Sequence, residues 1–98
     1  NDAIIGRDEF RRLCWTDLTA KLPGATPDAF VTESARTDWL EDLAETADWC
    51  VAFGDTYRSL ISDGKASTIL RKKYDLLTRD LLGREYGRQD ISDLFNKV

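Results

Sequence analysis

The chain contains no histidine and no methionine, only two cysteines and two prolines, and no long apolar run. Each shortage excludes something. Without histidine, the residue that most often serves as general base near neutral pH and as metal ligand is missing. Cys14 and Cys50 stand alone, with no Cys-x-x-Cys spacing, so no zinc site is expected. A bilayer span needs about 18 or more apolar residues in succession, so we expect no membrane partner. There is no signal-peptide pattern either. The sequence opens on Asn1 instead of Met, which we read as a processed form or a fragment of a longer protein.

What is present suits one soluble domain over residues 1–98. The hydrophobic fraction is 42%, the charged fraction 33% and the net charge −4, too apolar and too weakly charged for disorder. The two cysteines read first as small buried hydrophobes, which places the protein in the cytoplasm. A Cys14–Cys50 disulfide is the alternative, and would imply a secreted or periplasmic protein.

Apolar residues recur at helical spacing through most of the chain. Asp8 and Glu9 suit the start of a first helix, where the dipole favours negative charge. Phe10, Leu13, Cys14, Trp15, Leu18 and Leu22 follow at steps of three and four, up to the stop at Pro23-Gly24. Thr26-Pro27-Asp28 predicts a short second helix carrying Phe30 and Val31. A bend over residues 34–37 precedes a new start at Thr37 or Asp38, with Glu41 in reach of a capping box.

The most regular stretch comes next. Leu40, Leu43, Ala47, Cys50, Gly54, Tyr57 and Ile61 keep one seam in phase, which predicts a single long helix over about 37–62. Gly54 is its weak point, and the unbroken phase favours a close helix crossing there over a break. Asp63-Gly64 ends that helix, and Ser67 caps a fourth carrying Ile69, Leu70, Tyr74, Leu77 and Leu81, closed at Gly83. Ile91, Leu94, Phe95 and Val98 predict a last short helix. Strand signals are nearly absent. The fold class is therefore all-α: a single compact bundle of four to five helices around the long central one.

The central helix carries more than one contact face needs. Opposite the seam lies an acidic strip that includes Asp38, Glu41, Asp42, Glu45, Asp48 and Asp55. Beside it runs a second apolar strip of Trp39, Trp49, Phe53, Tyr57 and Leu60. A central helix packed on two sides would account for this. The alternative makes Trp49, Phe53 and Leu60 an anchor for a partner or a second copy, since aromatic residues dominate binding hot spots. Glu41, Asp42 and Glu45 would then attract a basic protein.

Charge divides unevenly. Residues 28–55 carry Asp28, Glu33, Asp38, Glu41, Asp42, Glu45, Asp48 and Asp55 against Arg36 alone, while the bases gather later. Arg71, Lys72 and Lys73, with Arg84 and Arg88, suggest nucleic-acid contact. However, three adjacent bases on a helix point three ways, and a pI near 4.7 opposes phosphate binding. Paired carboxylates such as Asp38/Asp42 and Glu41/Glu45 make no acid–base case without histidine or a cleft. The glycines of residues 83–87 follow a helix and lack Gly-Lys-Ser/Thr, so they form no phosphate loop. We expect no catalytic residue, no metal and no cofactor. The sequence points to a non-enzymatic protein-interaction domain (an inhibitor, adaptor or regulatory subunit) using the aromatic and acidic surface of the central helix. The alternative is a small nucleic-acid-associated accessory domain.

Overall fold

Asp38 starts the helix Trp39–Ala52. Its extended backbone (φ −158°, ψ 170°) folds the side chain back so that Oδ1 accepts from the Glu41 amide at 2.8 Å. That bond satisfies one of the donors every helix start leaves open. Replacing Asp38 by Ala should therefore lower stability by about 1 kcal/mol in chemical denaturation. Thr37, the other predicted cap, lies in helical conformation outside the cap position. Thr37→Ala should change stability by less than about 0.5 kcal/mol.

The computed structural model describes residues 2–87. It contains α1 (Asp2–Cys14), 3-10 turns at Pro27–Ala29 and Ser34–Arg36, α2 (Trp39–Ala52), α3 (Gly54–Ser62), and α4 (Thr68–Leu76), which runs into a π-helical turn at Leu77–Leu81. The all-α class holds, and no strand occurs among the described residues. The short helix expected on Ile91, Leu94, Phe95 and Val98 lies outside them.

Three predicted helices come out differently, and the one expected to carry Phe30 and Val31 is a single 3-10 turn that stops at Ala29, with Phe30 already extended. The first begins at Asp2 and ends at Cys14 instead of reaching Leu22. Asp8 therefore lies inside the helix, where it pairs with Arg11 at 3.1 Å and Arg12 at 2.6 Å. The chain reverses after Cys14 because Asp17 Oδ1 accepts from the amides of Thr19 (3.0 Å) and Ala20 (2.8 Å), an Asx turn. Leu22 N then donates to Cys14 O at 2.7 Å. Leu18, expected in the core, is left 48% exposed at the tip of this loop.

The long central helix is two helices. Phe53 breaks it, with φ −128° and ψ 34°, and α3 leaves α2 at an elbow. The expected close approach at Gly54 is real, but what approaches is the carbonyl of Tyr86, not another helix. Downstream, Gly64 adopts φ +71°, the left-handed stop its position predicts. Ser67 caps α4 by accepting from Leu70 N at 3.2 Å. The π-helical turn has a local cause: the Thr78 hydroxyl donates to the Tyr74 carbonyl at 2.9 Å, and Leu82 N reaches back five residues to Leu77 O at 2.7 Å.

The core has two parts. Phe10, Cys50, Tyr57, Tyr74, Leu76 and Leu77 form one cluster, and Cys14, Trp15, Ala29, Phe30 and Ala35 the other. Leu13 and Val31 pack against both. Cys14 and Cys50 are buried, free, and in different clusters, so the disulfide alternative is not formed. No helix among the described residues is long and apolar enough to cross a membrane.

Candidate functional site

Asp42 and Lys73 lie at the centre of the molecule, both with 0% exposure. Asp42 sits on the inner line of α2 with Thr46 and Cys50, four residues apart in turn. Lys73 falls in phase with Leu70 and Leu77 on the inner side of α4. The Lys73 ammonium lies 2.8 Å from Asp42 Oδ2 and 3.0 Å from Oδ1, and donates to the Ala29 carbonyl at 2.6 Å. It also stands 4.2 Å from the ring centroid of Phe30 and 5.5 Å from that of Phe10, so the cation meets aromatic faces where it meets no oxygen. Trp15 Nε1 donates to Asp42 Oδ2 at 3.0 Å, and Thr46 Oγ1 donates to Asp42 O at 2.6 Å.

This arrangement links α1, the Pro27–Ala29 turn, α2 and α4. It is also chemically closed: among the described residues no buried side-chain nitrogen or oxygen lacks a partner. Burial pushes the Asp42 carboxyl above its ordinary range, while Lys73, Trp15 and Thr46 pull it the other way. Without solvent access or an open coordination position, the pair has nothing to offer a substrate. Its work is to join the elements.

Two predicted contacts are thereby corrected. Asp42 belongs to no surface strip, because α2 turns its Asp42–Thr46–Cys50 line inward. Lys73 cannot touch nucleic acid, because it is this aspartate's buried partner. The other bases are not gathered. Arg71 donates to Ile61 O at 3.3 Å, Lys72 lines the groove between α1 and α4, and Arg84 stacks on Tyr86 at 4.5 Å. Arg88 lies outside the described residues. That groove, of about 410 Å³, is floored by Leu13 and Leu76, with acids and bases mixed along its rim. No one charge sign converges on it.

The outer side of α2 keeps the rest of the predicted surface. Glu41 and Asp48 are exposed and Glu45 is half-buried. Four- and three-residue steps put the three on one ridge. None of them has an ion-pair partner among the described residues. Leu40, expected in the seam, is 48% exposed at the start of α2. At its other end Phe53 is 53% exposed, its ring centroid 5.3 Å from that of Trp49. Trp49 is half-buried and meets Tyr57 edge-on at 6.2 Å, which ties the exposed ring to the core. Leu60 is half-buried on α3, beyond the elbow, so the straight strip drawn through Trp49, Phe53 and Leu60 is bent.

No three His, Cys, Asp or Glu side chains among the described residues gather to hold a metal ion. No family of known proteins, no curated protein and no solved structure matches this chain.

Proposed function

We propose that the chain is a non-enzymatic protein-interaction domain, an inhibitor, adaptor or regulatory subunit, that engages a basic protein through the outer face of α2. The observation that carries this reading is Phe53, 53% exposed and braced by Trp49 at the C-terminal end of α2, the helix that carries the Glu41–Glu45–Asp48 ridge. An aromatic ring held by its neighbour loses little freedom on binding, and ridge carboxylates without ion-pair partners among the described residues steer a basic surface towards it. A second copy fits this face less well, since a two-fold contact would set acid against acid. The two free buried thiols fit a reducing compartment such as the cytoplasm.

Affinity capture from the native source tests this reading. Proteins retained by the wild-type chain should be lost both to Phe53→Ala and to the joint reversal Glu41→Lys/Glu45→Lys/Asp48→Lys, and should elute as salt rises. For a purified partner, Phe53→Ala should weaken binding about 30-fold, the cost of about 2 kcal/mol typical of an anchor. If both variants retain the same proteins as the wild type, the reading is wrong.

A further inference from the structure

Nothing local explains why the helix breaks at Phe53. The seam from Leu43 to Ile61 keeps its phase, no proline interrupts it, and Phe53 gives α3 no side-chain cap. Gly54 weakens a helix but does not bend one by itself. A sequence that reads as one helix and folds as two is held bent by something else.

Residues 84–87 supply the candidate. They cross the elbow as a strap that follows Gly83, whose φ of +74° turns the chain. The Tyr86 carbonyl oxygen sits where a Cβ on Gly54 would stand, with its carbon 3.1 Å from that position. One residue earlier, Glu85 Oε1 accepts from the Tyr74 hydroxyl at 2.8 Å. The same hydroxyl accepts from Arg58 Nη1 at 2.8 Å, and Arg58 Nη2 donates to Asp55 Oδ1 at 2.5 Å. Glu85 thus ties the strap to α4 through the Tyr74 hydroxyl, which also holds Arg58 of α3, beside the glycine that follows the break.

We propose that α2 and α3 form a two-state element, bent when the strap is seated and continuous when it is released, with residues 84–87 as the latch. The bent state gives up backbone hydrogen bonds across the elbow and gains the strap contacts; the released state regains them. The phase of the seam keeps Cys50 and Tyr57 on the same side in both. Phe53 stands at the elbow, so the two states present its ring differently. That last consequence rests on the interaction reading, whereas the latch itself does not.

Two variants release the strap by different means. Gly54→Ala fills the seat of the Tyr86 carbonyl, and Glu85→Ala removes the exposed carboxylate without touching the core. In both full-length variants, chymotryptic cleavage after Tyr86 should quicken at least fivefold. Amide exchange at Gly54 and Thr56 should slow at least tenfold, because a continuous helix gives these first-turn amides acceptors in Cys50 and Ala52. Should cleavage quicken while those amides exchange as before, the strap does not set the bend and the proposal fails. It fails equally if cleavage after Tyr86 stays at the wild-type rate in both. Loss of partner binding by Phe53→Ala bears only on the interaction reading.

Discussion

Replacing Lys73 by Met should destabilise the protein by about 3–5 kcal/mol at neutral pH, the range seen when one partner of a buried ion pair is removed. The side chains are similar in length and the methionine packs well against Phe10 and Phe30, so little of the loss comes from shape. What remains is the Asp42 carboxylate, 0% exposed and deprived of its counter-charge. Trp15 and Thr46 still donate to it, but two neutral hydrogen bonds do not replace the ammonium. A small domain has about 5–15 kcal/mol in all, so the variant should stand near the edge of folding.

The pH dependence identifies the cause. Asp42 is already raised by burial, and losing Lys73 raises it further. A carboxyl raised in the fold contributes stability that is present below its unfolded value of 3.8 and lost as pH climbs through the folded one. The deficit of Lys73→Met against the wild type should therefore shrink as pH falls towards 4, where the orphaned carboxyl takes up a proton. Adding Asp42→Asn removes the charge altogether and should restore about 2 kcal/mol at pH 7. Urea titrations of the three proteins at pH 4 and pH 7 measure this. A deficit that is the same at both pH values would mean that packing, not charge, is lost.

The same pair explains which parts of the fold are legible in the sequence. Helix starts and stops are local chemistry, and the cap at Asp38, the cap at Ser67 and the left-handed Gly64 all stand where their residue types place them. The inner face of α2 is not local. A seam drawn through apolar residues puts Leu40 inside and Asp42 outside, and both are reversed, because the helix turns Asp42 and Thr46 towards a lysine 31 residues away from the aspartate. One signal was there to be used: Lys73 falls in phase with Leu70 and Leu77, an odd place for an unpaired base. The elbow and the early end of α1 were hidden for a similar reason. The first is covered by a strap from the far end of the described chain, and the second depends on a turn whose Asp17 sits inside an apparently continuous helical pattern. Of the surface, the exposure of Phe53 and Glu41 is readable, while Trp49 and Glu45 come out half-buried.

Alkaline pH should unfold the protein well before its arginines are affected, with Cys50 as a principal cause. Cys50 is 0% exposed in the larger core cluster, and burial pushes its thiol up from 9.0 to about 12 despite the pull of Arg58. The neutral thiol is thus the form the fold accepts. A group raised in this way contributes stability that is complete below its unfolded value and lost as pH rises through the folded one. Across the interval from 9.0 to about 12, Cys50 alone accounts for a loss on the order of 4 kcal/mol. Tyr57 and Tyr74 act in the same direction. The Tyr57 hydroxyl donates to Leu70 O at 2.6 Å, so ionising it would set a phenolate against a carbonyl oxygen, and burial holds its value high. Burial also raises Tyr74, to about 12. Stability by urea titration should hold steady from pH 7 to 8.5 and then fall steeply towards pH 11. Cys50→Ala should be less stable than the wild type at pH 7, through the small cavity it leaves, yet lose less as pH rises, so that the two curves converge. Parallel curves would mean that the Cys50 thiol is not what the alkaline limb reports. Tyr57→Phe would then identify the phenol as its source.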